Sequence, residues 1–263
     1  MSFLHIIADY GPGDLAFSEI QAAFAGIAPE LRTVTTSVAS FNTVATGFLV
    51  AQLGSDPHLR GKGMVFANCA PRADKRSERE DNEGEGLLLA LTRHDIPLVV
   101  VNSGYSLAFV KHDINELWQL EVSAAGSQFR SRDLFPKVVA RLLQGDESVK
   151  KTRLDVNLIP DPPDPQIGYV DSFGNLKTTV REGDPALSKL EPGQRIAIRI
   201  NGVRRSARVA GGSFQVEEGD IAFAPGSSGR ERPFWEVFQR SGSAWQTYGE
   251  PLPGAPIEIL EGD

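Results

Sequence analysis

Short apolar runs alternate with amphipathic segments along the first half of the chain. The apolar runs, which are typical of buried strands, cover residues 4–8, 34–38, 64–67, 87–91 and 96–101. Segments with apolar side chains at every third or fourth position follow Asp14 and recur at residues 43–53 and 131–143. Strands that alternate with helices in this way predict an α/β N-terminal domain with a mostly parallel sheet.

The pattern changes at a proline-rich stretch, residues 160–165, with the sequence Pro-Asp-Pro-Pro-Asp-Pro. Proline has no backbone N–H and a fixed φ, so this stretch predicts a stiff linker. Beyond it, short β-like runs are separated by glycine turns, at residues 195–200, 204–209, 220–224, 235–238 and 256–260. We therefore predict an α/β domain over residues 1–159 and a smaller all-β, barrel-like domain over residues 166–263.

Composition and charge narrow the classes of function. The 263-residue chain has 41% hydrophobic residues and a net charge of -7, which argues against a nucleic-acid partner. No apolar run approaches the roughly 20 residues that cross a bilayer, so we expect no membrane partner and a cytoplasmic protein. Four scattered histidines and a single cysteine predict no metal site. With no histidine near it in sequence, Cys69 is better interpreted as a small residue at a strand end than as a nucleophile.

Two acids flank the glycine-rich turn after the first predicted strand. Asp9 and Asp14 lie where ligands bind in α/β sheets, at the carboxyl end of a strand. The turn has no lysine and does not fit a phosphate-binding loop, so its carboxylates favour hydroxyl groups or a cation. Alternatively, Asp14 serves only as the N-cap of the following helix.

A second candidate site lies just after the linker, at residues 168–175. If this stretch is extended, Asp171, Phe173 and Asn175 project from one face, because side chains alternate along a strand. That face would offer a carboxylate, a ring that can stack, and an amide that donates and accepts hydrogen bonds. Alternatively, the strand ends in a Phe-Gly-Asn turn that Asp171 caps.

Five motifs, in order, resemble those of the S-adenosyl-L-methionine (SAM) hydrolase family, the adenosine-forming enzymes related to fluorinases and chlorinases. The resemblance covers nearly the whole chain, and its most specific part is the Asp-Ser-Phe-Gly-Asn motif. The motifs are Asp9-Tyr10-Gly11 with Asp14, Phe41-Asn42, residues 129–135, residues 170–175, and residues 226–229 followed by 235–244. The resemblance implies a homotrimer in which SAM, as substrate and without a further cofactor, lies between the α/β domain of one subunit and the β domain of its neighbour.

The resemblance also implies a role for each motif residue of the first domain. Asp9 would accept hydrogen bonds from the ribose hydroxyls, and Asp14 would support the methionine end of the substrate. Phe41, followed by Asn42 before a helix, would pack on the ribose or the adenine.

In the second domain, the implied contacts reach the other parts of the substrate. Asp171 would bind the methionine amino group, and Phe173 and Asn175 would contact the adenine. The segment Arg240-Ser241 would offer backbone groups to the adenine edge. Acids suit this ligand, because the sulfonium of SAM is cationic.

The chain departs from the family where the attacking water is activated. The family uses an Asp, an Arg and a His, whereas this chain has Asn68, a cation at Lys75 or Arg76, and Arg130. Ser131 stands where fluorinases have a serine, although it could simply cap the helix. We therefore assign the catalytic positions to Asn68, Arg76, Arg130 and Ser131.

Two hypotheses on function follow from this departure. In the first, the protein cleaves SAM to adenosine and methionine by attack of hydroxide at the ribose C5′, with a halide as an alternative anion in the same cationic pocket. In the second, it binds SAM or adenosine without turnover, because an asparagine and two or three cations cannot act as a general base near neutral pH.

Overall fold

The computed structural model describes residues 2–70, 85–123, 127–212 and 215–261. The chain divides into two compact units, residues 1–162 and 163–263, so the division falls inside the proline-rich stretch. Each unit contains one seven-stranded sheet among its described residues.

The first unit has helices on both faces of its sheet. Its strand order is β2-β1-β3-β5-β4-β6-β7. The elements are β1 (Phe3–Ala8), α1 (Leu15–Ile27), β2 (Arg32–Ser37), α2 (Thr43–Leu53), β3 (Gly63–Asn68), β4 (Leu87–Thr92), β5 (Leu98–Val101), β6 (Ile114–Leu120), α3 (Arg130–Asp133), α4 (Phe135–Leu143) and β7 (Lys150–Leu154). Helices α1 and α4 pack together on one face, over a core that includes Ile6, Phe24 and Val139. Helix α2 contacts β1 and β3.

The second unit is built from antiparallel pairs with one parallel pair in the middle. Its strand order is β14-β10-β11-β12-β13-β9-β8, and β11 and β12 are parallel. The elements are β8 (Ile167–Val170), β9 (Leu176–Arg181), β10 (Arg195–Ile200), β11 (Val203–Val209), β12 (Ile221–Pro225), β13 (Phe234–Gln239), α5 (Ala244–Thr247) and β14 (Ile257–Glu261). Hydrogen bonds from Ile167 N–H to Ala255 O, 2.8 Å, and from Ile257 N–H to Pro165 O, 3.0 Å, connect the starts of the two outermost strands.

The predicted fold class is wrong, because both units contain mixed sheets. In the first unit, β2, β1, β3 and β5 are parallel, whereas β4, β6 and β7 add three antiparallel pairs. Only residues 93–97 separate β4 from β5, and a parallel crossover needs a dozen or more residues. The second unit is not all-β, since it contains α5. Within the described residues, no helix is long and apolar enough to cross a membrane.

Candidate functional site

The first candidate site lies where the chain order reverses across the first sheet. Strands β1 and β3 are parallel neighbours that end together, with Ala8 opposite Asn68. From β1 the chain passes through α1 to β2 on one side, whereas β3 lies next to β5 on the other side. Such a reversal leaves a crevice at the carboxyl ends of the strands, where ligands bind in sheets of this kind. Asp9 and Asn68 therefore lie at the expected position for a ligand site.

The Asp9 carboxylate connects three loops at this edge. Its Oδ2 accepts hydrogen bonds from the backbone N–H groups of Phe41, 3.0 Å, and Ala70, 3.1 Å. The residue is only 8% exposed, whereas the Phe41 side chain is 48% exposed. Phe41 also has a φ of 62°, in a region that non-glycine residues rarely adopt. The structure thus brings together Asp9 and Phe41, two of the predicted substrate-binding residues.

A chain of three polar side chains lies beside Asp9. Asn68 Nδ2 donates a hydrogen bond to Tyr10 Oη over 2.7 Å, and Tyr10 Oη is 2.7 Å from Ser131 Oγ. Two of the predicted catalytic residues are therefore connected through Tyr10, which the sequence analysis did not select. The signal for it was its position directly after Asp9 at the end of a strand.

Aromatic packing holds the Tyr10 ring in place. Its ring centre is 5.5 Å from that of Phe17 and 6.2 Å from that of Phe129, both in edge-to-face geometry. Burial raises the pKa of the Tyr10 phenol above its usual value, against the hydrogen bond to Ser131, which lowers this pKa. The phenol therefore keeps its proton at neutral pH.

Ser131 does not open a long helix. The helix predicted over residues 131–143 is interrupted at Leu134, between the four-residue α3 and the nine-residue α4. Pro136 lies in the first turn of α4, where its missing N–H is tolerated but an earlier helix cannot continue through it. Ser131 is the second residue of α3, after Arg130, whose guanidinium carbon lies 5.5 Å from the centre of the Phe135 ring.

Two other predicted site residues serve as helix caps. Asp14 Oδ1 accepts a hydrogen bond from Ala16 N–H, 2.9 Å, at the start of α1. Asn42 Oδ1 accepts one from Ala45 N–H, 2.8 Å, at the start of α2. Asp14 is therefore an N-cap, and its contact with the methionine end of a substrate stays a prediction. The predicted cation at Lys75 or Arg76 lies outside the described residues.

The second candidate site, at residues 171–175, is a turn and not an extended strand. Strand β8 ends at Val170, so the expected alternation of Asp171, Phe173 and Asn175 on one face of a strand is not present. Asp171 Oδ1 accepts the backbone N–H groups of Phe173 and Asn175, both at 3.0 Å, and Oδ2 accepts Asn175 Nδ2 at 3.0 Å. This is the alternative in which Asp171 caps a turn. The turn leaves the Phe173 ring 79% exposed.

Lys177 lies between two carboxylates, those of Asp171 and Glu236. Its Nζ lies 3.7 Å from Asp171 Oδ2 and 2.8 Å from Glu236 Oε2. One lysine does not neutralise two carboxylates, so a ligand ammonium group at Asp171 would share that carboxylate with Lys177.

The segment after β13 adjoins the Asp171–Asn175 turn. Trp245 N–H donates to Gly174 O over 2.9 Å. Both backbone groups of Arg240 are used: its N–H donates to Asp220 O, 3.0 Å, and its C=O accepts from Gly219 N–H, 2.9 Å. The Arg240 N–H is therefore already used, whereas its C=O keeps a second lone pair. Ser241 has a φ of 58°.

Solved structures with this fold include two proteins whose function is not given in their descriptions. An uncharacterized conserved protein from Thermotoga maritima is 20% identical, with a TM-score of 0.74 over 98% of this chain and 100% of that chain. A conserved hypothetical protein from Thermus thermophilus is also 20% identical, with a TM-score of 0.67 over 99% of this chain and 100% of that chain. No protein-family model and no curated protein matches the sequence.

The first site can orient a ligand, and among its described residues only the Asp9 carboxylate could act as a general base. Its groups are a buried carboxylate, an amide, a phenol and a hydroxyl, with the Arg130 guanidinium nearby in sequence. An amide and a guanidinium do not act as general bases near neutral pH. Among the described residues, no three His, Cys, Asp or Glu side chains come together as a possible metal site.

Proposed function

We propose that the protein is a SAM hydrolase-like enzyme that cleaves S-adenosyl-L-methionine to adenosine and methionine. One observation carries the proposal. Asn68 and Ser131, two positions that the resemblance assigns to the nucleophile, are connected through Tyr10 beside Asp9, at the point where the sheet order reverses.

In this proposal, Asp9 holds the ribose. Its Oδ2 already accepts two backbone N–H groups, and among the described residues no hydrogen bond reaches its Oδ1. A carboxylate oxygen of this kind can accept the hydroxyl protons of a ribose diol. The neighbouring Phe41 ring, about half exposed, offers an apolar surface to the sugar or the base.

The reaction needs alignment more than acid catalysis. The nucleophile oxygen forms a bond to C5′, while the C5′–S bond breaks and its electron pair remains on sulfur as the neutral thioether of methionine. When water attacks, its proton leaves to solvent. A sulfonium is a good leaving group, so the protein has to align and desolvate the nucleophile.

The second unit contributes, in this proposal, from a neighbouring subunit of a homotrimer. The exposed Phe173 ring is suited to stacking on a base, and Asn175 lies in the same turn. Asp171 would share its carboxylate between Lys177 and the methionine ammonium group.

Binding without turnover is a second candidate function. The observation that favours it is that Asn68 donates a hydrogen bond where the resembling enzymes have a carboxylate that accepts one. A protein with the ribose contact and without a base could hold adenosine or SAM as a ligand only.

The test is to incubate the purified protein with SAM, with and without chloride, and to separate the products by chromatography. A calorimetric titration with SAM and with adenosine measures binding in parallel. Tyr248→Phe in the second unit is a suitable control, and Asn68→Asp with Arg130→His is expected to increase hydrolysis.

More adenosine than in the protein-free control supports hydrolysis. A 5′-chloro product that forms only with chloride would mean that the nucleophile is a halide and not hydroxide. Binding with no product supports the second candidate function. Neither binding nor product would overturn both.

A further inference from the structure

The hydrogen bonds of Asn68, Tyr10 and Ser131 have a direction. Asn68 Nδ2 can only donate, so Tyr10 Oη is the acceptor of that 2.7 Å bond. The partly buried phenol then needs an acceptor for its own proton, and Ser131 Oγ lies 2.7 Å away. A phenol is a stronger acid than an aliphatic alcohol, and donation by Asn68 polarises it further. Tyr10 therefore donates and Ser131 accepts.

This direction leaves the Ser131 hydroxyl proton for another acceptor. Ser131 is only 5% exposed. In the part of the chain that the structure describes, its hydroxyl has one hydrogen-bond partner, which is Tyr10. A buried hydroxyl proton without an acceptor is costly, so an acceptor atom of a ligand would be favoured there.

We infer that Tyr10 is a positioning residue of the proposed site, which, held by Asn68, makes Ser131 a hydrogen-bond donor to the attacking nucleophile. This inference rests on the proposed function. A donor holds the nucleophile by a lone pair and does not take a proton from it. The arrangement therefore suits a nucleophile that arrives as an anion better than one that must be deprotonated in the site.

Residue 68 determines whether Tyr10 donates to Ser131 or accepts from it. A carboxylate at this position could only accept, so the Tyr10 proton would turn from Ser131 to residue 68. Tyr10 would then accept from Ser131, and the lone pairs of Ser131 Oγ would be free to accept a proton of water. Asn68→Asp is therefore expected to reverse the hydrogen-bond chain and change what the site holds.

Kinetics of single and double variants test whether residue 68 acts on Ser131 through Tyr10. Tyr10→Phe is expected to lower kcat about tenfold, the effect of one lost hydrogen bond, with KM for SAM within about twofold because Asp9 is retained. Asn68→Asp alone is expected to change the pH profile of kcat. In the double variant, which also carries Tyr10→Phe, this change is expected to be absent. Tyr248→Phe removes a hydroxyl in the second unit and is the matched control. If the Asn68→Asp change persists without the Tyr10 hydroxyl, the inference is wrong.

A measurement without turnover separates this inference from the proposed function. The chain has four tyrosines, and with ¹³C-labelled tyrosine the Tyr10 signal is the one lost in Tyr10→Phe. Asn68→Asp should move the pKa of Tyr10 further upward, since a carboxylate accepts the phenol proton and repels the phenolate. An unchanged pKa overturns the inference whatever the activity. A pKa that moves, in a protein that neither binds nor cleaves SAM, supports the coupling of residue 68 to Tyr10 and overturns the proposed function alone.

Discussion

Asp9 Oδ2 accepts the backbone N–H of Phe41 over 3.0 Å, and this bond accompanies an unusual backbone conformation. Phe41 has a φ of 62°, which costs a non-glycine residue about 1–2 kcal/mol. The contact with Asp9 helps to offset this cost and places an aromatic ring at the edge of the sheet. Structure and ligand binding at Asp9 can nevertheless be separated by mutation.

Asp9→Ala should lower the free energy of unfolding by about 1–3 kcal/mol, because two part-buried N–H groups lose their acceptor. Asp9→Asn keeps an acceptor oxygen and should cost clearly less. If the carboxylate also holds ribose hydroxyls, both variants lose affinity for adenosine in a calorimetric titration. Affinity at the wild-type level in a folded Asp9→Asn protein would show that Asp9 is structural only.

Gly174 allows the Asp171–Asn175 turn to approach the segment after β13. A Cβ at Gly174 would overlap with Ser243 Oγ, and the residue has a φ of 78°. Gly13 is the matched control, with a φ of 79° and nothing within 4 Å of a Cβ. Both alanine variants pay the same backbone penalty, but Gly174→Ala should lose at least about 1 kcal/mol more in urea denaturation. Equal losses would mean that Ser243 moves aside without cost.

Tyr248→Phe is expected to stabilise the second unit. Tyr248 is 0% exposed, and its hydroxyl has no hydrogen-bond partner among the described residues. Removing an unsatisfied buried hydroxyl should raise the free energy of unfolding by about 1 kcal/mol. Denaturation followed by tryptophan fluorescence suits this test, because Trp235 and Trp245 lie in this unit. A loss of stability would indicate an acceptor for the phenol.

The Tyr248 phenol also makes the stability of the protein depend on pH in the alkaline range. Burial raises the pKa of Tyr248 above its usual value, so the folded state retains a proton that the unfolded chain releases above about pH 10. This phenol therefore leaves stability independent of pH below about pH 10 and lowers it as the pH rises further, because the unfolded chain ionises first. Stability should fall less steeply in this range in Tyr248→Phe than in the wild type.

The Asp133 carboxylate makes the stability of the protein depend on pH in the acid range, with the opposite sign. Its hydrogen bonds from Arg132, and then from Ser127, lower the pKa of Asp133 to about 2. A lowered carboxyl pKa contributes stability that is present above about pH 4 and is lost as the pH falls through about 2. The urea midpoints of the wild type and Asp133→Asn should therefore differ at pH 6 and converge towards pH 2. The same difference at both pH values would contradict this assignment.

The sequence was most informative where local signals agree. The helix predicted at residues 43–53 has the bounds of α2, because Asn42 caps its start and Gly54 follows its end. The strand predicted at residues 195–200 coincides with β10, whose side chains alternate between the core and the other face.

Strands β6 and β7 were not predicted from the sequence, and together with β4 they make the first sheet mixed. Strand β7, with the sequence KKTRL, has one apolar residue, so no apolar run marks it. It is held by its backbone pairing with β6, and Lys150 and Arg153 cover the Trp118 ring, at 5.5 Å and 5.9 Å. Contacts of this kind become visible only when the partner strand is known.

The site was predictable in its residue types but not in its connections. Tyr10 and Ser131 are 121 positions apart, so only the folded chain brings their hydroxyls together. At Asp171, the period-two argument failed because the side chain bonds its own backbone two and four residues on, and Gly174 turns the chain with positive φ.

The short parallel pairing of β11 with β12 has a consequence for how the second unit opens. Only two residue pairs are in register there, Arg208 with Ala222 and Val209 with Phe223, with one further bond from Ala210 N–H to Phe223 O. By contrast, β10 and β11 share six pairs, and β12 and β13 share five. Amide hydrogens between β11 and β12 should exchange with solvent before those of the flanking hairpins. The sheet then separates into two cooperative blocks, one of which carries the Asp171–Asn175 turn.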